Sequence, residues 1–118
     1  MAKHIITGKK GEELAAFYFE ERCYEILHKN WRHKHWEIDI IASKNNRLHI
    51  IEVKTRTSTI FGHPEESISK KKIKYLIDAA EEFTYLYPEW KKIQFDVLAI
   101  TQIPGKPIEY FLIEDVYL

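Results

Sequence analysis

Apolar positions in this chain recur first at helical spacing, then at strand spacing, then at each once more. Thr7 to Tyr24 carries two interleaved stripes, Leu14, Phe17 and Tyr18 on one and Glu12, Ala15, Ala16 and Phe19 on the other, which predicts a helix. Two alanines on one stripe let a helix sit close to a sheet and bring Glu12 toward whatever that sheet presents. Glu25 to Arg32 reads as a first strand. Trp36 to Arg56 reads as two short apolar strands joined by a polar turn at Ser43 to Arg47, where Asn45-Asn46 suits the positive φ of a tight hairpin. Thr57 to Pro64 reads as a loop. Ser69 to Tyr87 is a second helix, with Ser69 as N-cap, Pro88 as its stop, and Ile73, Leu76, Ile77, Ala80, Phe83 and Thr84 on its apolar face. Strands over Lys92 to Thr101 and Ile108 to Ile113 flank a turn at Pro104 to Pro107. The order α-β-β-β-α-β-β predicts an α/β fold, a mixed central sheet flanked by two helices, in a single domain over residues 1–118.

Charge placed inside the central strands changes this picture. Asp39 interrupts the run Ile38 to Ala42, and Glu52 and Lys54 end the run Leu48 to Val53. Residues two apart on a strand share a face, so Glu52 and Lys54 continue the row of Leu48 and Ile50. Unpaired carboxylates on a mostly buried sheet are costly and require compensation. Asp39 and Glu52 lie across a hairpin, where neighbouring strands can bring hard oxygen ligands together at a separation that suits Mg²⁺ or Mn²⁺. Lys54 is then placed to orient a water or neutralise charge on a phosphate. The residues alone are equally open to a buried ion-pair network that stiffens the sheet, and Glu12 to a helix-start carboxylate favoured by the macrodipole.

Composition narrows the class. With 45% hydrophobic and 14% aromatic residues, the 118-residue chain has the means for a core without disulfides. Its one cysteine, Cys23, excludes an internal disulfide and reads as a core or helix-face thiol. Residues 1–10 hold no apolar run of a signal peptide, and no stretch approaches a membrane span, so a soluble cytoplasmic protein without a membrane partner is expected. Eighteen Lys plus Arg balance 18 Asp plus Glu, which argues against a charge-driven nucleic-acid coat protein. The basic residues nonetheless cluster at Lys9-Lys10, Lys29 with Arg32 to His35, Lys54 with Arg56, and Lys70 to Lys72 with Lys74. Such a rim around an acidic pocket fits a phosphate backbone; a solvated surface is the plainer reading. His33 and His35 could ligate zinc from one strand face, without helpful neighbours. Trp31, Trp36 and the Tyr85, Tyr87 and Trp90 cluster could stack bases or pack a core or dimer.

An acidic helix residue, a strand Asp and a following strand E-x-K resemble the PD-(D/E)xK nuclease superfamily, whose core is α-β-β-β-α-β. The closer resemblance is to the YraN-like family, described as related to archaeal Holliday junction resolvases. It runs through G-K-K-G-E-E-L-A (Gly8 to Ala15), N-W-R (Asn30 to Arg32), E-I-D-I-I-A (Glu37 to Ala42), I-E-V-K-T-R (Ile51 to Arg56), F-G-H-P-E-E (Phe61 to Glu66) and F-D-V (Phe95 to Val97). Trp36 stands where the family usually has glycine, and Gln94 where it usually has arginine, which would remove one phosphate contact. The resemblance implies a restriction-endonuclease-like core and a metal-dependent endonuclease acting on DNA, with branched or structured DNA as the substrate. Asp39, Glu52, the Val53 carbonyl and Glu12 would then hold Mg²⁺ or Mn²⁺, and Lys54 would position the attacking water. Glu37 matches a further acidic position. Lys10, Arg32, Arg56, Lys71 and Lys72 would meet the nucleic acid, and a homodimer would suit the two strands of a junction. Two other classes stay open: a non-catalytic nucleic-acid-binding or adaptor domain on an inherited nuclease fold, and a protein-interaction module.

Overall fold

A computed structural model of the chain describes residues 8–57 and 69–116. In chain order the elements are α1 (Gly8–Glu21), β1 (Glu25–His33), β2 (Trp36–Lys44), β3 (Arg47–Arg56), α2 (Lys70–Leu86), β4 (Ile93–Thr101) and β5 (Glu109–Ile113). This is the α-β-β-β-α-β-β order the apolar pattern predicts. The Phe61 to Glu66 motif and most of the expected loop before it lie outside the described residues, as does Thr7.

The strands lie side by side in chain order, β1 to β5, in one sheet. All neighbours are antiparallel except β3 and β4, which run parallel from Leu48 opposite Ile93 to Arg56 opposite Thr101. A parallel pair needs a long crossover, and α2 lies within it. Between β2 and β3 the turn is as tight as the sequence suggests: Lys44 pairs with Arg47, and Asn45 and Asn46 adopt φ of 53° and 62°. Asparagine tolerates this left-handed region better than other non-glycine residues.

Each helix covers one face of the sheet. On the α1 side, Ala15, Ala16 and Phe19 pack with Ile40, Ala42, Ile51, Leu98 and Ile100. On the α2 side, Leu76, Ala79, Ala80 and Phe83 pack with Ile38, Ile41, Leu48, Ile50 and Phe95. The alanine stripe of α1 is thus its buried face. Of the other stripe, Leu14 and Tyr18 are half-buried at the edge of that core, whereas Phe17 is 59% exposed.

α1 stops at Glu21, earlier than the apolar pattern suggests. The Tyr24 N–H reaches back to the Phe19 carbonyl at 3.0 Å, the Cys23 N–H to Glu20 at 3.1 Å, and Cys23 takes φ 69°. These two bonds are a Schellman cap, and the accompanying apolar contact is the Phe19–Tyr24 ring pair at 4.9 Å. Cys23 therefore occupies the left-handed capping position and is exposed, not the core or helix-face thiol expected. α2 begins and ends where expected, with Ser69 Oγ accepting from the Lys72 N–H at 3.0 Å. Among the described residues no helix is long and apolar enough to cross a membrane.

Candidate active site

β2 changes face in mid-strand, and that change creates the site. Ile40 and Ala42 pack on the α1 side, yet Ile38 packs on the α2 side, so the alternation breaks at Asp39. Opposite on β1, Lys29 pairs with Ile40 and Trp31 with Ile38, with Asn30 between them at φ 53°. On the other side the β2–β3 pairing begins at Ile40 opposite Ile51 and runs toward the turn. At the point where β2 and β3 part, the Asp39 side chain substitutes for a ladder partner: its Oδ2 accepts the Val53 N–H at 2.8 Å.

Glu52 follows Ile51 on β3 and is 6% exposed. Its carboxylate meets two ammonium groups at one oxygen, Lys54 Nζ at 3.3 Å and Lys72 Nζ at 3.4 Å from Oε2. Lys54 comes from the same face of β3, as the spacing predicts. Lys72 comes from the first turn of α2 and joins the site by binding a carboxylate; the sequence places it only on the basic rim. Asp39 and Glu52 are close enough for a hydrogen bond between their carboxyl groups. Burial pushes the Asp39 carboxyl up to about 7; the charge of Glu52 and a hydrogen bond to its side chain add to this, Glu12 adds a little, and the Val53 N–H opposes it.

Glu12 stands further off. Burial raises its pKa, the charge of Glu37 raises it further, and Arg32 works against both. Arg32 Nε is 3.4 Å from Glu37 Oε2, so this acidic fringe carries its own counter-ion. Among the described residues no group of three His, Cys, Asp or Glu side chains is gathered closely enough to hold a metal by itself. The structure thus brings Asp39, Glu52, Lys54 and Lys72 together and leaves Glu12 at electrostatic range. Val53 takes part through its N–H. Lys10 lies on α1 and Arg56 ends β3, both engaged in interactions of their own. Lys71 is exposed on the first turn of α2.

Two other expectations change. His33 Nε2 lies 3.2 Å from Glu82, and the His35 ring packs on Trp36 at 4.1 Å, so the two histidines serve separate partners rather than one zinc ion. Gln94 does not border the carboxylates: its Nε2 donates to Asp96 Oδ1 at 2.8 Å. Asp96 of the F-D-V motif is fully buried and also accepts from His49 Nδ1 at 2.7 Å and the Asp115 N–H at 2.9 Å. Sequence reasoning missed His49 and Asp96, and also Tyr75. The signal for the first two was a polar residue in each of two apolar strands. For Tyr75 it was an aromatic ring one helical turn after Lys72.

The chain is thus a mixed α/β protein, one five-stranded sheet between two helices, with Asp39 and Glu52 paired where β2 and β3 part. The chain belongs to the uncharacterised protein family UPF0102, whose profile matches residues 11–100. Relatives in that family include a UPF0102 protein of Bacteroides thetaiotaomicron, 44% identical over 100 residues that cover 85% of this chain and 83% of the relative. One of Flavobacterium johnsoniae is 42% identical over 104 residues, covering 85% of each chain. One of Chloroherpeton thalassium is 38% identical over 125 residues, covering 99% of this chain and 97% of its own. The resemblance drawn from the sequence motifs is therefore to the right family.

Proposed function

We propose that the protein is a metal-dependent endonuclease that hydrolyses phosphodiester bonds in DNA, with branched or structured DNA as its substrate. The observation that carries this reading is the Asp39–Glu52 pair. Two hard-oxygen groups, Glu52 buried and Asp39 half-buried, stand against each other at the parting of β2 and β3, with Lys54 and Lys72 on the same Glu52 oxygen. Two carboxylates set side by side repel each other, and a divalent ion would satisfy both at once. Mg²⁺ or Mn²⁺ would be held by Asp39 and Glu52, with the Val53 carbonyl as a further oxygen and Glu12 reaching the ion directly or through water. When bound, the cation supplies Lewis-acid stabilisation of charge on the phosphate oxygens.

The remaining work falls to this chain's own groups. Hydrolysis forms a bond from a water oxygen to phosphorus and breaks the bond from phosphorus to the leaving sugar oxygen; the attacking water gives its proton to solvent, and a solvent water protonates the departing alkoxide. The Lys54 ammonium, held at Glu52, donates a hydrogen bond to the attacking water and offsets charge on the phosphoryl group. Lys72 sits across the same carboxylate and neutralises the incoming phosphate, while Lys10, Arg32, Arg56 and Lys71 guide the strand. This reading places the protein in the cytoplasm, where DNA and Mg²⁺ are available, and takes a homodimer as the active form. The experiment is cleavage of duplex, single-stranded and four-way junction DNA with Mg²⁺ or Mn²⁺, by wild type and by Asp39→Ala.

One observation favours a second reading. Glu52 is already countered by two ammonium groups, as an ion-pair network requires, which suits a non-catalytic nucleic-acid-binding or adaptor domain on an inherited nuclease fold. That domain would bind DNA with a negative salt slope and show no metal-dependent turnover.

A further inference from the structure

The rings of His35, Trp36 and Tyr75 form a cluster beside the carboxylates that the chemistry above does not use. Trp36 opens β2, and its ring centroid lies 4.1 Å from that of His35 and 5.1 Å from that of Tyr75. The Tyr75 hydroxyl holds the backbone on both sides of Trp36: it accepts from the Glu37 N–H at 2.8 Å and donates to the His35 carbonyl at 3.3 Å. A residue gripped through both neighbours is set before any ligand arrives, which removes part of the ordering cost of binding.

The core beneath these rings is already filled by Ile38, Ile41 and Leu76, each at most 1% exposed. Trp36 and Tyr75 pack against it and are only half-buried, and His35 is exposed. One side chain joins the cluster to the candidate chemistry. Lys72 Nζ lies 4.8 Å from the Tyr75 ring centroid and 3.4 Å from Glu52 Oε2.

We infer that His35, Trp36 and Tyr75 form a stacking platform for one unpaired nucleobase of the strand whose phosphate lies at Glu52 and Lys54. The position of that strand rests on the phosphodiester reading; the platform itself rests on the ring geometry. Aromatic faces take a base of any identity, and the adjoining ammonium takes its phosphate. Within a continuous duplex both faces of a base are covered by its neighbours, so only a single-stranded, frayed or branched segment can use the platform. The site therefore selects substrate structure rather than sequence.

The test is equilibrium binding of labelled oligonucleotides in EDTA, where turnover plays no part. Wild type binds single-stranded DNA in preference to duplex. Trp36→Leu loses about tenfold on the single strand, the order expected for one stacked base, and nothing on the duplex. Trp36→Phe retains the preference. An oligonucleotide series with one abasic position at a time shows a single position that costs wild type the same factor. A flat abasic series overturns the inference, as does an equal loss by Trp36→Leu on both forms, or no binding of single strands at low salt. If Trp36→Leu does not fold, Trp36→Phe and the abasic series on wild type decide the matter. Absence of turnover with Mg²⁺ or Mn²⁺ would instead count against the endonuclease and leave this binding preference standing.

Discussion

At the scale of single residues, Asp39 sits where its charged form is disfavoured. Its folded pKa of about 7 stands above the ordinary 3.8, so the folded protein holds this proton more tightly than the unfolded chain does. Its contribution to stability is therefore complete below about 3.8 and is lost as pH rises through about 7. Asp39→Asn keeps an acceptor for the Val53 N–H and removes the repulsion with Glu52. The metal-free variant should unfold at a higher temperature than wild type near neutral pH, with a margin that grows from about pH 4 to about pH 8. A margin that stays constant with pH would show that Asp39 ionises freely. The same proton competes with a cation, so the affinity for Mn²⁺ read by titration calorimetry should weaken as pH falls through about 7. Lys54 answers to a different measurement. With the fold retained, Lys54→Ala should lower the cleavage rate by a factor of about 10² to 10⁴. An unchanged rate would remove it from the chemistry.

At the scale of elements, the hairpin and the capped helix α2 were legible because local signals set them. Asn45-Asn46 suits only a tight turn, and Ser69 and Pro88 bracket an amphipathic run. What the sequence did not disclose were features that arise between elements. The break in alternation at Asp39 lies opposite Asn30 with its φ of 53°, and the two come together only through the β1–β2 pairing. Cys23 looked apolar and turned out to cap α1, because the Schellman bonds and the Phe19–Tyr24 contact outweigh its preference for the core. Lys72 was readable as a cation but not as a partner of Glu52, since the residues between β3 and α2 carry no signal of where the helix starts relative to the sheet. The close seating of α1 on its alanines is a further prediction of this scale. Ala15 is fully buried, so Ala15→Leu overpacks the α1 side and should cost about 1–3 kcal/mol in urea unfolding. It should also weaken cleavage by lifting Glu12 away from Asp39. A neutral result would mean that α1 shifts without consequence for the site.

At the scale of the whole molecule, the proposed function requires a neutral chain to bind DNA through local rather than net charge. The affinity should fall with rising salt along a shallow slope, since only a few of the basic residues face the same strand. The aromatic surface away from the site bears on assembly. β5 forms one edge of the sheet, and Phe111 on it is 52% exposed, without lysine or proline in the strand to discourage pairing. The central claim, however, concerns Asp39 and Glu52 as the holders of a cation that cleaves DNA. The most direct measurement is a titration of Mn²⁺ into wild type and Glu52→Ala, with cleavage of junction, single-stranded and duplex DNA followed in the same preparations. The account predicts that wild type binds the ion and cuts, with junction or single-stranded DNA preferred, and that Glu52→Ala loses both while keeping its fold. Equal cleavage by the two proteins, or a wild type that neither binds the ion nor cuts with DNA present, would contradict it.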